Sequence, residues 1–221
     1  MFKFDRTAFA IQTFEEADSR IHYWRTRPVA ERMAAMVEMT RQAFRIPHGV
    51  DVPLDRSHFR IKARNMQLFL SQDLRDFITA LNRANVRYLL VGGYAVNVHG
   101  YQRSTGDVDV WVEPTEINYG RLTQAFGRFG LPIEVLPLAK FLAVAQYDVF
   151  SFGRPPNAID LMTKVRGLVF GDAYANSTLY EFAELPVRVI GLADLITAKR
   201  AAGRPRDLAD LVQLEKVAEE E

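Results

Sequence analysis

Cysteine is absent from the 221-residue chain. Its absence excludes disulfides, thiolate metal sites and a cysteine nucleophile, and fits a reducing cytoplasm. Histidine is scarce at four residues. His22, His48 and His58 stand alone, without the spacing that zinc sites need. No stretch approaches ~18 consecutive apolar residues, so neither a signal peptide nor a membrane span is expected. Charge of one sign is also missing: 28 Lys and Arg face 27 Asp and Glu, for a formal net charge of +1. No global field therefore calls for nucleic acid, although a local basic face has material to form from. Long repeats and low-complexity runs are absent too. What remains is 48% hydrophobic and 25% charged, an ordinary globular composition with enough chain for one sizeable domain and an appendage, or for two small domains.

The informative stretch is RYLLVGGYAVNVHGYQRSTGDVDVWVE, residues 87–113. Tyr88 to Val91 form a short apolar run ended by Gly92-Gly93, as a buried strand would be. Glycine pairs let backbone amides approach an anion closely because no Cβ intervenes. One or two helical turns follow at 94–99, with their N-terminus aimed the same way. A second strand then carries Asp107 and Asp109 on one face and Val108, Val110 and Val112 on the other. Adjacent carboxylates repel unless a cation lies between them. Oxygen ligands at such positions suit Mg²⁺ together with substrate phosphate. The motif is not a P-loop, because no G-K-[ST] follows, nor does the glycine spacing match a dinucleotide fingerprint.

A glycine turn followed by a D-x-D strand resembles the DNA polymerase β-type nucleotidyltransferases. The fuller pattern GG-x-A, then HG-x-x-R-x-T-x-D-x-D, is similar to the small bacterial nucleotidyltransferase or AbiEii-type toxin domains. Gly92, Gly93, Ala95, His99, Gly100, Arg103, Thr105, Asp107 and Asp109 carry it. The resemblance implies an α/β (α+β) nucleotidyltransferase fold, a mixed sheet covered by helices. It implies two Mg²⁺ ions held by Asp107, Asp109 and a third acid from a neighbouring strand. Asp160, a lone carboxylate inside Ile159-Asp160-Leu161-Met162, is that candidate and the expected proton acceptor. Gly92 and Gly93 would hold the triphosphate, and Arg103 and Thr105 lie beside it. His99 reads as a structural hydrogen bonder. A second resemblance lies in LADLITAKRAAGRPRDLADLVQLEK, through Lys199, Ala202, Gly203, Arg204, Asp207, Leu208, Asp210 and Leu211. It implies that Lys199 and Arg204 reach nucleotide phosphate from the far side of a cleft, with Asp207 as a structural partner of a basic residue.

Periodicity outlines the rest. Residues 1–13 read as a strand, 14–25 as a helix, and 28–44 as a helix whose inner face is Met33, Met36, Val37, Thr40 and Phe44. Leu54 to Phe59 echo Phe4 to Phe9, which would allow the two strands to share a small sheet. Residues 62–66 look like a linker, dividing an appendage at 1–64 from a nucleotidyltransferase domain at 65–221. The appendage reads as a strand–helix–helix–strand unit. It resembles a small bacterial protein often encoded beside such enzymes, which implies self-association, a partner protein, or a toxin–antitoxin-like arrangement. Helices are expected from Ser71 to about 85, from Thr115 to Phe129, near 170–177, 191–201 and 205–218. Strands are expected near 147–152, 158–162 and 186–190. In the last helix Leu208, Leu211, Val212 and Glu215 share helical spacing and read as largely core.

The expected activity is Mg²⁺-dependent transfer of NMP from an NTP to a hydroxyl on RNA, such as a tRNA end, or on protein. One alternative is a catalytically silent nucleotide-binding or antitoxin-like module. Another is transfer to a small aminoglycoside-type cation, which would need an acidic collar built from Glu113, Glu116 and Glu134.

Overall fold

The computed structural model describes residues 5–14, 24, 26–44, 46, 72–154 and 157–220. In order these form β1 (Phe9–Gln12), α1 (Val29–Phe44), α2 (Gln72–Arg83), β2 (Tyr88–Leu90), α3 (Gly92–Val98), β3 (Asp107–Val112), α4 (Glu116–Phe129), α5 (Leu138–Leu142), β4 (Val149–Arg154), β5 (Asn157–Met162), α6 (Phe170–Ala175), β6 (Thr178–Phe182), β7 (Leu185–Val189), α7 (Leu192–Ala202) and α8 (Pro205–Glu220). The class is α/β, as expected. Among the described residues the strands make one seven-stranded mixed sheet in the order β1-β4-β5-β3-β2-β7-β6. β3 with β5, and β2 with β7, are parallel; the other neighbours are antiparallel.

Strand alternation sorts the residues of β1, β4, β5 and β3 onto two faces. On one, Phe9 stands beside Phe152, and Phe152 meets Phe126 of α4 with ring centroids 5.1 Å apart. Helix α2 closes that side. Leu74, Phe77, Ile78 and Leu81 fall at helical spacing, are buried, and bring Phe77 within 5.2 Å of Phe129. The Thr115 hydroxyl accepts the Asn118 N–H at 3.2 Å and caps α4 as expected. The opposite face carries the polar positions: Gln12, Ser151, Asp160, Asp109 and Asp107. Helices α7 and α8 stand over it. Gly203, at φ +66, ends α7, and Pro205 opens α8 at the position where a missing N–H costs nothing. That tight turn folds the two helices against each other.

Several expectations change. β6 was not foreseen: Thr178, Leu179 and Glu181 are exposed, so the edge strand lacks the alternation that marks a half-buried one. Met33, Met36 and Val37 of α1 are about half exposed rather than inward, while Ala35 is buried. In α8, Leu208 and Val212 are exposed, and the inward stripe is Asp207, Asp210, Leu211 and Leu214. Helical spacing identifies an apolar stripe but not which stripe meets the sheet, and here two buried carboxylates turn the helix. The helix over 14–25, apart from Phe14 and Trp24, lies outside the described residues, as do the strand at 54–59, the linker and the boundary near 64. β1 itself pairs with β4 as an edge of the main sheet.

Candidate active site

Asp107 and Asp109 lie on β3 with one residue between them, and Asp109 is paired directly with Asp160 across the parallel ladder. All three therefore project from one sheet face. They line one cavity of about 400 Å³, together with Gly92, Gly93, Arg103, Thr105, Lys199 and Arg204. Each site residue expected from the sequence is thus on that wall. None of Glu113, Glu116 and Glu134 is on it, so the acidic collar for a cationic small molecule is not assembled there.

Glycine at 92 is required by geometry. Its φ is +61, and a Cβ there would overlap the Asp109 carboxylate and lie 2.8 Å from the Asp109 Cβ. At Gly93 a Cβ would overlap the Thr105 hydroxyl. The turn and the acid strand are also tied by the Val91 N–H, which donates to the Asp109 carbonyl at 3.0 Å. Glycines in this chain therefore serve the acid strand as much as any phosphate. Gly92→Ala should destabilise the protein by about 1–3 kcal/mol through its strained φ and displace the Asp109 side chain. Urea unfolding measures the first effect. A loss below about 0.5 kcal/mol would show that the turn has room to adjust.

Asp160 is buried and accepts a hydrogen bond from the Ser151 hydroxyl at 2.8 Å. Tyr94, buried beside the acids, has its pKa raised, chiefly by burial and then by the Asp109 charge. Its hydroxyl stays protonated at neutral pH. Among the described residues, no group of three or more His, Asp or Glu side chains is placed to hold a metal ion. The three acids share one face of the sheet, and Asp160 is oriented there by Ser151.

The cationic side is a buried ion network. The Asp210 carboxylate accepts Arg103 through Nε at 2.6 Å and Nη2 at 2.8 Å, and Lys199 Nζ at 2.8 Å. Asp207 accepts Lys199 Nζ at 2.7 Å and Arg204 Nε at 2.6 Å. The carboxylate partner of Arg103 lies 107 residues away in the chain. The loop bearing it is held by Asn97, whose side-chain oxygen accepts the Arg103 N–H at 2.8 Å. Three cations against two carboxylates leave the wall net positive, and Arg206 adds to it, donating to the Ser104 carbonyl at 2.7 Å. Burial, and then the Arg103 charge, lower the Arg206 pKa, but a guanidinium remains charged at neutral pH.

Burial by itself would raise the Asp207 carboxyl. Hydrogen bonds from Arg204 and the charge of Lys199 outweigh it and hold the pKa below the ordinary value. A carboxyl lowered on folding contributes stability that is fully present above its unfolded pKa, and loses it as pH falls through the folded one. The melting temperature should therefore drop more steeply below about pH 4 in the wild type than in Asp207→Asn. Parallel acid slopes in thermal scans from pH 7 to 3 would remove Asp207 from this account.

His99 takes the structural role expected of it, with Nε2 2.7 Å from the Ile190 carbonyl. The sequence reasoning missed four residues. Phe14 and Arg166 line the cavity with Arg206, and Ser151 orients Asp160. Arg206 stood in plain view two residues after Arg204. Phe14, Arg166 and Ser151 gave no signal, because only chain crossings bring them to the site.

No family model matches the chain, and no curated protein matches it. Among solved structures, it is similar to the crystal structure of an antigenic nucleotidyltransferase-like protein from Paracoccidioides brasiliensis, with a TM-score of 0.39 and 17% identity over 66% of this chain and 77% of that one. A likeness of that size carries no argument about this chain's chemistry.

Proposed function

We propose that the chain is a Mg²⁺-dependent nucleotidyltransferase, moving NMP from an NTP to a hydroxyl on RNA or protein. The observation that carries this reading is the meeting of two walls in one cavity. Asp107, Asp109 and Asp160 come from the sheet, and Arg103, Lys199 and Arg204 come from the loop and helices around it. A triphosphate substrate needs both: cations for its charge, and acids for the divalent ion that accompanies it.

The donor set suits a hard cation, being oxygen only, and Gly92 leaves the Asp109 carboxylate the space it occupies. Asp107, Asp109 and Asp160 would hold the ion. Bound there, Mg²⁺ would neutralise phosphoryl charge, offset the repulsion among the acids and acidify the attacking hydroxyl.

The protein's own part is positioning and charge. The amides at Gly92 and Gly93 border the phosphate path, and the arginine and lysine wall counters the charge passing to pyrophosphate. The acceptor oxygen forms a bond to the α-phosphorus as the α–β bridging bond breaks. Its proton passes to Asp160, which the Ser151 hydroxyl orients through Oδ1. An RNA or protein acceptor and a toxin–antitoxin-like role follow from the family resemblance of the glycine and D-x-D stretch.

The test is transfer of label from each of the four α-³²P-labelled NTPs to total RNA and total protein, with Mg²⁺. Wild type should label an acceptor and Asp107→Ala should not. Equal labelling by both sinks the proposal. NTP binding without transfer would instead assign the chain to the silent nucleotide-binding class.

A further inference from the structure

The site does not end with the nucleotidyltransferase motifs, because the N-terminal strand reaches into it. β1 pairs with β4 from Phe9 to Gln12. Two residues later, Phe14 lines the cavity. The ring is thereby delivered to a defined place. Over it stand two guanidinium groups that line the same cavity, Arg204 at 4.4 Å and Arg166 at 5.0 Å from the ring centroid.

We propose that Phe14 is a positioning residue for anion recognition: its ring holds Arg166 and Arg204 at the mouth of the acid-lined cleft, ready to meet the triphosphate of the substrate. This rests on the transferase reading above. The physical argument has three parts. A guanidinium on an aromatic ring is attracted by the ring quadrupole, not by an acceptor atom. Such a contact orders the side chain and adds no negative charge to the wall. Long arginine side chains lose much rotamer freedom on binding, so ordering them beforehand lowers the cost of capturing phosphate. Arg204 is held from two directions, by Phe14 and by Asp207.

A separate contact ties the same strand to the acids. The Ser151 hydroxyl that donates to Asp160 lies 3.4 Å from the Gln12 side-chain oxygen. The N-terminal segment therefore reaches both walls of the cleft, the cationic one through Phe14, just after β1, and the acidic one through the contact of Gln12 with Ser151 of β4.

The experiment uses the full chain and two readouts. Binding of inorganic triphosphate with Mg²⁺ is followed by calorimetry, which isolates phosphate recognition from any base contact. Transfer kinetics give KM for the NTP separately from kcat. Phe14→Leu keeps apolar bulk and removes the π face, and should weaken triphosphate binding about tenfold and raise KM with little change in kcat. Phe14→Tyr should behave as wild type, a rescue that mere packing does not require. Arg166→Gln and Arg204→Gln should each weaken the same binding, which keeps the proposal testable should Phe14→Leu fold poorly. Unchanged triphosphate binding in Phe14→Leu, or in both arginine variants, overturns the inference and leaves the transferase reading standing if wild type still transfers label. Wild type that neither binds triphosphate nor transfers label ends both.

Discussion

Lys199→Met should lower the free energy of unfolding by about 3 kcal/mol, near the bottom of the range for breaking a buried ion pair. The Lys199 side chain is 7% exposed and stands between two carboxylates that are each 1% exposed. Removing the amine leaves Asp207 and Asp210 with one guanidinium apiece, Arg204 and Arg103, which is why the loss should not reach the top of that range. Equilibrium unfolding in urea measures it. A Lys199→Met, Asp207→Asn double variant should recover part of the loss, since no buried charge is then left short of a partner; the cycle yields the coupling. Stability within ~0.5 kcal/mol of wild type, with only nucleotide binding impaired, would mean that the amine is held in reserve for phosphate and that the network does not need it. The experiment thereby separates a structural role for Lys199 from a phosphate-binding one.

Asp109→Asn should reduce transfer about a thousandfold, a loss of ~4 kcal/mol in transition-state stabilisation. The melting temperature should hold or rise. The carboxylate has Asp107 on its own strand and Asp160 directly across the ladder, and like charges on neighbouring positions oppose the folded state. The amide keeps the shape that Gly92 accommodates and removes that repulsion. Activity and stability then move in opposite directions, as expected where a site is built at some cost to the fold. Single-turnover kinetics at saturating NTP and a thermal scan suffice. A tenfold loss or less, or a fall in melting temperature matching the loss of activity, would make Asp109 a structural carboxylate.

Much of the local structure was legible because it depends on near neighbours. The apolar run ending at Gly92-Gly93 is β2 leading into α3, and DVDVWV is β3 with its acids on one face. The Thr115 cap, the buried face of α2 and the break at Gly203 and Pro205 follow from spacing and backbone chemistry alone. β6 was illegible because an exposed edge strand has no alternating pattern, and the rotation of α8 was illegible because spacing is silent about which stripe faces inward.

The candidate site divides the same way. Residue types and short spacings singled out Asp107, Asp109, Gly92, Gly93, Arg103 and Thr105, since a phosphate turn and an acid pair are each written within a few consecutive positions, whereas Lys199 and Arg204 were implied by the family resemblance of the C-terminal run. Asp160 stood out as a charge among apolar residues, but its place opposite Asp109 is a matter of strand register. That Arg103 answers Asp210, that Ser151 orients Asp160, and that Phe14 carries Arg166 and Arg204 were decided by tertiary structure alone. These partners lie on separate elements, and no local rule of propensity or period links residues that only sheet pairing and helix packing bring within reach.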